Sequence, residues 1–283
     1  MKRLIVTADD FGLTTSVNDA IEDGHRRGIL TAASLMVTGE AAADAVSRAR
    51  TMPRLGVGLH LVMVDGVPVL PPEQIPDLVG PDGRFSSDLF RLGVRIFCRA
   101  SARRQVAAEI RAQLEAFRRT GLPLDHVNAH HHFHLHPTIQ AELIRLAAEF
   151  EIKAIRVPRE PPFAPWRAGG RRFYWLGAGL LEAGRAGALK RRLGAAGIAS
   201  NDWIFGLADT GAMTGERVLR YLENLPEGVS ELYVHPALQR PREWPETYQC
   251  HGEYESLVDP AVVAFVNTHG IAPIPFAGLS RAA

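Results

Sequence analysis

The chain has 283 residues, 46% of them hydrophobic and 22% charged, the balance of an ordinary globular protein with a large core. Lys and Arg total 32 against 31 Asp and Glu, so no net field favours nucleic acid. No apolar run approaches the roughly 18 residues of a membrane span and the first residues do not form a secretion signal, so a cytoplasmic protein is expected, with Cys98 and Cys250 as free thiols in no zinc spacing.

In chain order, the continuous apolar run at 3–8 predicts a buried strand that ends at Asp9 and Asp10. Val17, Ala20 and Ile21 fall at helical spacing, so a helix runs on to Arg27, capped at Thr15 or Ser16 and stopped by Gly28. A strand at 31–37, a helix at 40–50 and a strand at 55–64 follow, the last carrying His60. Residues 65–103 break the rhythm with a Pro-rich loop and a basic helical stretch at 90–104, where Arg91, Arg95 and Arg99 recur every fourth position beside Phe90, Val94 and Phe97. The alternation resumes with a helix at 104–119, a strand at 124–130, a helix at 137–150 and a strand at 153–157. A second insertion at 158–200 includes the stretch 171–193, aromatic at one end and carrying Lys190, Arg191 and Arg192 near the other. Strands at 203–207, 230–235 and 272–276 and helices at 215–224 and 260–268 complete the pattern. Such alternation predicts an α/β fold: one irregular, TIM-like (β/α) barrel over 1–283, a single domain with insertions where barrels build substrate sites.

The segment HVNAHHHFHLHP, 126–137, holds six of the chain's 11 histidines. Six imidazoles cannot all lie unpaired in an apolar core. Alternation along a strand puts His126, Asn128 and His130 on one face, with His131 pointing away from the barrel axis and His136 starting the next helix. Asp9, Asp10, His60 and His130 all stand at strand ends, as does His235, and so can converge on one mouth. With Asp10, His60 and His130 as ligands, a divalent ion keeps open positions, and Asp9 is left free to act as a base. A sugar isomerase would lean on more carboxylates, and an amidohydrolase would open with His-x-His on strand one. A non-catalytic histidine-rich metal-binding protein would give Asp9 and His235 no task.

TADDFG, GLHL, HVNAHHHFH, IRVPRE and VHPA, in this order, resemble the YdjC-like (ChbG-type) carbohydrate deacetylases over residues 7–237. The resemblance implies a barrel of the deacetylase type that removes acetyl groups from N-acetylated sugars. It implies one divalent ion on Asp10, His60 and His130, with Asp9 as general base, His235 as general acid and Arg156 orienting the base. Zinc suits the mixed donor set, with magnesium, manganese, iron, cobalt and nickel left open. Chito-oligosaccharide members usually read Asp-Ser where this chain has Asn128 and Ala129. LTAASLMV, VGLHLVMVDGVPVLPP and HFHLHPT are closer to the hopanoid-biosynthesis (HpnK) branch, which implies an N-acetylglucosaminyl hopanoid as substrate, with another N-acetylglucosamine-bearing glycolipid or oligosaccharide as the alternative. The basic stretches at 90–104 and 171–193 further suggest peripheral contact with the inner membrane, and a homodimer stays open.

Overall fold

A computed structural model describes residues 1–161, 163–168 and 178–281. Among them, seven strands form one parallel sheet: β1 (Lys2–Phe11), β2 (Ala32–Leu35), β3 (Gly56–Leu61), β4 (Val127–Ala129), β5 (Trp203–Phe205), β6 (Gly228–Val234) and β7 (Ile271–Pro273). The order is β4-β3-β2-β1-β6-β5. β7 takes Lys2–Leu4 of β1, and β2 takes the later part of the strand from Thr7. β1 is therefore bonded along both edges and buried on both faces, which is why Leu4, Ile5, Val6 and Ala8 form a continuous apolar run rather than an alternating one.

The helices are α1 (Thr15–Arg27), α2 (Ala42–Arg50), α3 (Leu89–Cys98), α4 (Ala100–Arg119), α5 (Pro137–Leu146), α6 (Ala164–Arg167), α7 (Ala178–Ala195), α8 (Gly215–Glu223), α9 (Cys250–Val258) and α10 (Pro260–Thr268). Thr14, one residue before the expected cap, accepts the first-turn N–H of Val17. Gly28 ends α1 where a Cβ would stand 2.1 Å from the Leu257 carbonyl oxygen, so only glycine lets α1 pass α9 this closely. α9 was not predicted: its buried positions include Glu253 and Ser256, which blur the apolar period.

The sheet curls into a barrel-like wall, but not into a regular eight-stranded TIM barrel. Seven of the eight predicted strands form. The stretch at 153–157 makes only isolated bridges, Val127–Ile155 and Ala154–Ala199, which carry the wall from β4 towards β5. A side chain interrupts its ladder: Asn201 accepts from the Val157 N–H (2.7 Å) and donates to the Val157 carbonyl (2.9 Å). The basic stretch at 90–104 is likewise not one helix. Its backbone turns extended at Arg99 (φ −107°, ψ 122°), which separates α3 from α4 and ends the arginine stripe. Arg95 is half-buried and donates to the Asp77 carbonyl, leaving Phe90, Val94 and Phe97 as the exposed face of α3. Part of the other basic stretch, 171–177, lies outside the described residues, and two of its cations are engaged: Lys190 pairs with Asp202 and Arg192 donates to Gln140. No described helix is long and apolar enough to cross a membrane. Cys98 and Cys250 are free thiols.

Glu160 follows this interrupted wall and accepts the N–H groups of Gly206 and Ala208. Burial pushes its carboxyl up to about 7 despite those donors. A carboxyl raised in the folded state binds protons more tightly folded than unfolded, so stability falls as pH rises from the unfolded value near 4.5 to about 7 and is flat above. The span corresponds to about 3 kcal/mol. Thermal melts from acid to neutral pH should therefore show a shallower decline for Glu160→Gln than for wild type. Parallel slopes would mean that Glu160 is ionised throughout.

Candidate active site

The site begins with a defect in β1. Ala8 pairs with Ala33 and Phe11 with Leu35, so Asp9 and Asp10 together face the single residue Ser34. This β-bulge, with Asp10 at φ 61°, breaks the alternation that would send adjacent side chains to opposite faces. Both carboxylates are buried and both approach His60, Asp10 to 3.1 Å of Nε2 and Asp9 to 3.9 Å of Nδ1.

Three ligand atoms converge here. Asp10 Oδ1 lies 3.1 Å from His60 Nε2 and 3.2 Å from His130 Nδ1, and the two nitrogens are 3.4 Å apart. For metal–ligand bonds of about 2.0–2.1 Å, a tetrahedral edge is roughly 3.3–3.4 Å. Asp10 Oδ1 is buried with no hydrogen-bond partner among the described residues, whereas Oδ2 accepts from the Trp244 indole at 2.8 Å. An orphaned buried carboxylate oxygen facing two imidazole nitrogens fits a divalent cation, and the residues present could hold one. Burial works against the Asp10 anion, but His130 and His60 outweigh it and hold the carboxyl well below its ordinary range.

Asp9 belongs to a different set of contacts. Arg156, fully buried, donates to its Oδ2 (2.5 Å) and Oδ1 (3.0 Å) and also to Glu231 Oε1. Burial disfavours the Asp9 anion, yet Arg156, His60 and His235 together keep its carboxyl far below the usual range, so it is ionised at every working pH. Arg156 shifts upward for the reciprocal reason, the two carboxylates overriding its burial. His235 lies at the end of β6, its N–H donated to Glu253 and its ring set among Tyr233, Trp244 and Tyr248 at 5.4–5.7 Å. Burial lowers its imidazole, with Asp10 and Asp9 pulling the other way.

The histidine run divides by task. His126 is bonded to Asp125 and Ser34, His134 to the Arg156 carbonyl, and His136 caps α5 while meeting the Gly93 carbonyl. His130, His131 and His132 line the cavity. The expectation that His131 points away fails because β4 ends at Ala129. A 3-10 turn follows in which His131 and His132 take left-handed φ values of 52° and 53°, so strand alternation no longer applies. The His131 ring stands 4.2 Å from that of His130, with Asp65 on its solvent side. Burial and His130 push its imidazole down to about 4.

The cavity measures about 320 Å³, the small end of the ligand-pocket range, and opens where β1, β3, β4 and β6 end. Residues 3–268 match the model of the family described as YdjC-like protein. The chain belongs to the YdjC-like family. A relative, the carbohydrate deacetylase of Brevibacillus brevis, is 40% identical over 156 residues, 55% of this chain and 59% of its own length. The carbohydrate deacetylase of Thermoanaerobacter pseudethanolicus is 27% identical over 238 residues, covering 84% of this chain and 82% of its own. This chain thus spans less than two thirds of the Brevibacillus protein. A solved structure from Enterococcus faecalis V583, named provisionally as a cellobiose-phosphate cleavage protein, superposes with a TM-score of 0.77 at 24% identity over 98% of each chain, and so shares the fold.

In this YdjC-like chain Asp9, Asp10, His60, His130 and His235 line one cavity and Arg156 is bonded to Asp9 behind it, six residues drawn from five places in the sequence. The residue that sequence reasoning missed is Trp244, whose indole N–H holds the second oxygen of the Asp10 carboxylate. Its signal was faint: a buried tryptophan needs a partner for its N–H, and Trp244 sits between prolines in the loop after His235.

Proposed function

We propose that this chain is a metal-dependent hydrolase that removes the acetyl group from an N-acetylated sugar. One observation carries the reading: the unpartnered Asp10 Oδ1 converges with two imidazole nitrogens beside a separate, ion-paired carboxylate, Asp9. Zinc is our assignment for the cation, on its preference for nitrogen and oxygen donors in a four-coordinate shell. When bound, such an ion supplies Lewis-acid polarisation of the acetamide carbonyl and a lowered water pKa.

The chain's own residues divide the remaining work. Asp9, ionised and oriented by Arg156, takes the proton of the attacking water. The proton is held weakly there and passes to the imidazole of His235, which burial favours in its neutral, proton-accepting form. His235, on the other strand end, delivers a proton to the departing sugar nitrogen, which is too basic to leave as an anion. Acetate and a free amine result. The carbohydrate deacetylases among the relatives support this reading. So does the division of the histidine run, in which three of six rings are spent on ordinary hydrogen bonds rather than on several ions. Mass spectrometry for acetyl loss tests it, with N-acetylglucosaminyl hopanoid and chito-oligosaccharides as parallel substrates. Turnover of neither, by zinc-loaded protein, rules the deacetylase reading out.

The substrate we favour is the hopanoid-borne sugar, and a second observation supports a lipid. Val67 is exposed and lines the cavity; Phe90, Val94 and Phe97 are exposed in the same segment between β3 and α4, and Phe163 and Trp166 in the segment after 153–157. Phe90 is 80% and Phe97 65% exposed, and Arg91, Arg99 and Arg167 stand exposed among them. Exposed aromatics beside cations, in a segment whose Val67 lines the cavity, suit the headgroup region of an anionic bilayer. The protein should sediment with anionic vesicles more than with neutral ones, and Phe90→Ser with Phe97→Ser should abolish most of that binding. Equal sedimentation of the double variant would remove the rim from the proposal and leave the hydrolase untouched.

A further inference from the structure

We infer that Asn128 is a positioning residue that sets the ring tautomer of His60 and the orientation of Asp9, and that Ser34, His126 and Asp125 hold it in that role. The inference rests on reading Asp10, His60 and His130 as the metal site. It concerns how that site is made ready before any ion arrives.

Donor accounting carries the argument. The Asn128 side chain has one acceptor oxygen and two N–H hydrogens. Its Oδ1 lies 2.7 Å from His60 Nδ1, and its Nδ2 lies 3.0 Å from Asp9 Oδ1 and 2.8 Å from Ser34 Oγ. An amide oxygen can only accept, so the proton of a neutral His60 must sit on Nδ1. The lone pair is then on Nε2, the atom 3.1 Å from Asp10 Oδ1. Turning the amide over would set its oxygen against the carboxylate of Asp9, which has no hydrogen to give. The contacts permit one orientation.

That orientation propagates. Ser34 accepts from Asn128 and, because the Asp125 carboxylate at the far nitrogen can only accept, it gives its single hydrogen to Nε2 of a neutral His126 at 3.0 Å. His126 then carries its proton on Nδ1 and donates it to Asp125 Oδ2 at 2.9 Å. Asp125 also accepts the backbone N–H groups of Phe276 and Ala277, at 3.2 and 2.8 Å, and the Phe276 ring stacks on His126 at 4.3 Å. Ser34, His126 and Asn128 are fully buried, so no solvent molecule competes for these bonds. The result is a one-way series of donations from the ligand imidazole to Asp125, which the N–H groups at the start of the C-terminal 3-10 helix (Phe276–Arg281) hold from the other side. Outer partners of this kind orient ligands and set their basicity.

Two variants separate the two tasks of Asn128. Asn128→Asp keeps an acceptor for His60 Nδ1 but offers Asp9 no hydrogen, and Asn128→Ala removes both contacts. The readout is the nitrogen NMR spectrum of imidazole-labelled, metal-free protein at mildly alkaline pH, with His60→Gln to assign the His60 signals. Wild type should show His60 protonated on Nδ1. Asn128→Asp should keep that tautomer, and Asn128→Ala should lose it. Zinc titration of the same proteins should show affinity weakened roughly 10- to 100-fold in Asn128→Ala. A smaller loss is expected in Ser34→Ala, which leaves the His60 contact in place. A wild-type His60 protonated on Nε2 overturns the inference, as does an unchanged tautomer and affinity in Asn128→Ala. If Asn128→Ala does not fold, the wild-type tautomer and the Asn128→Asp and Ser34→Ala arms still decide. Should wild type bind no zinc at all, the metal reading fails, and the tautomer measurement judges the hydrogen-bond series separately.

Discussion

Replacing His60 or His130 by alanine should empty the site of metal and stop turnover together. Each supplies one of three atoms lying 3.1–3.4 Å from one another, and two remaining ligands hold a divalent ion poorly. Loss of Lewis-acid stabilisation worth several kcal/mol corresponds to a rate falling about 1,000-fold or more. Metal content by mass spectrometry and acetate release would be measured on the same preparations. A chelator should reproduce the loss in wild type, and added zinc should restore wild type alone. His131→Ala is the informative control: it lies beside His130 in the cavity but outside the three converging atoms, so it should keep the metal and change KM more than kcat. Loss of metal from His131→Ala equal to that from His130→Ala would move the site outward, towards Asp65.

Asp9→Asn should separate chemistry from binding. The variant should retain its metal while kcat falls by roughly 100- to 10,000-fold, the usual contribution of a positioned base. The metal stays because Asp9 is held by Arg156 and Asn128 and contributes no atom to the converging set. Arg156 keeps its second carboxylate, Glu231, so the buried guanidinium is not left alone. The measurements are metal content, melting temperature and the kcat and KM of deacetylation. A metal-free Asp9→Asn protein would make Asp9 a ligand and reverse the division of labour within the Asp9–Asp10 pair.

Much of this site is legible in the sequence. Strand–helix alternation places Asp9, Asp10, His60, His130 and His235 at strand ends, and parallel strands send their C-terminal ends to one side. That rule needs no knowledge of side-chain detail. What it could not supply was the local backbone. Nothing in the residue types at 9 and 10 announces two residues opposite one, and two successive left-handed residues at His131 and His132 are uncommon even for histidine, which takes positive φ more readily than most. Arg99 breaks a helix without a glycine or proline to mark it. Asn201 replaces a strand ladder by a side-chain amide, which reads in sequence as an ordinary loop residue. Long-range partners were equally silent: Trp244 reaches Asp10 across 234 positions, and Asn128 reaches Asp9 across 119. Each of these departures is settled by tertiary packing, where a short window of residues carries little information.

The extra residue in β1 makes the acidic doublet a single inherited unit. A one-residue deletion at this spot would restore a regular ladder opposite Ser34 and leave a single aspartate where two now stand side by side. The same holds for transplantation. Grafting the two aspartates, two histidines and the arginine onto a regular barrel would leave one aspartate facing the outer helices, because a regular strand has no room for two neighbours on the same side. A designer who wants this chemistry elsewhere must copy the irregularity along with the residues.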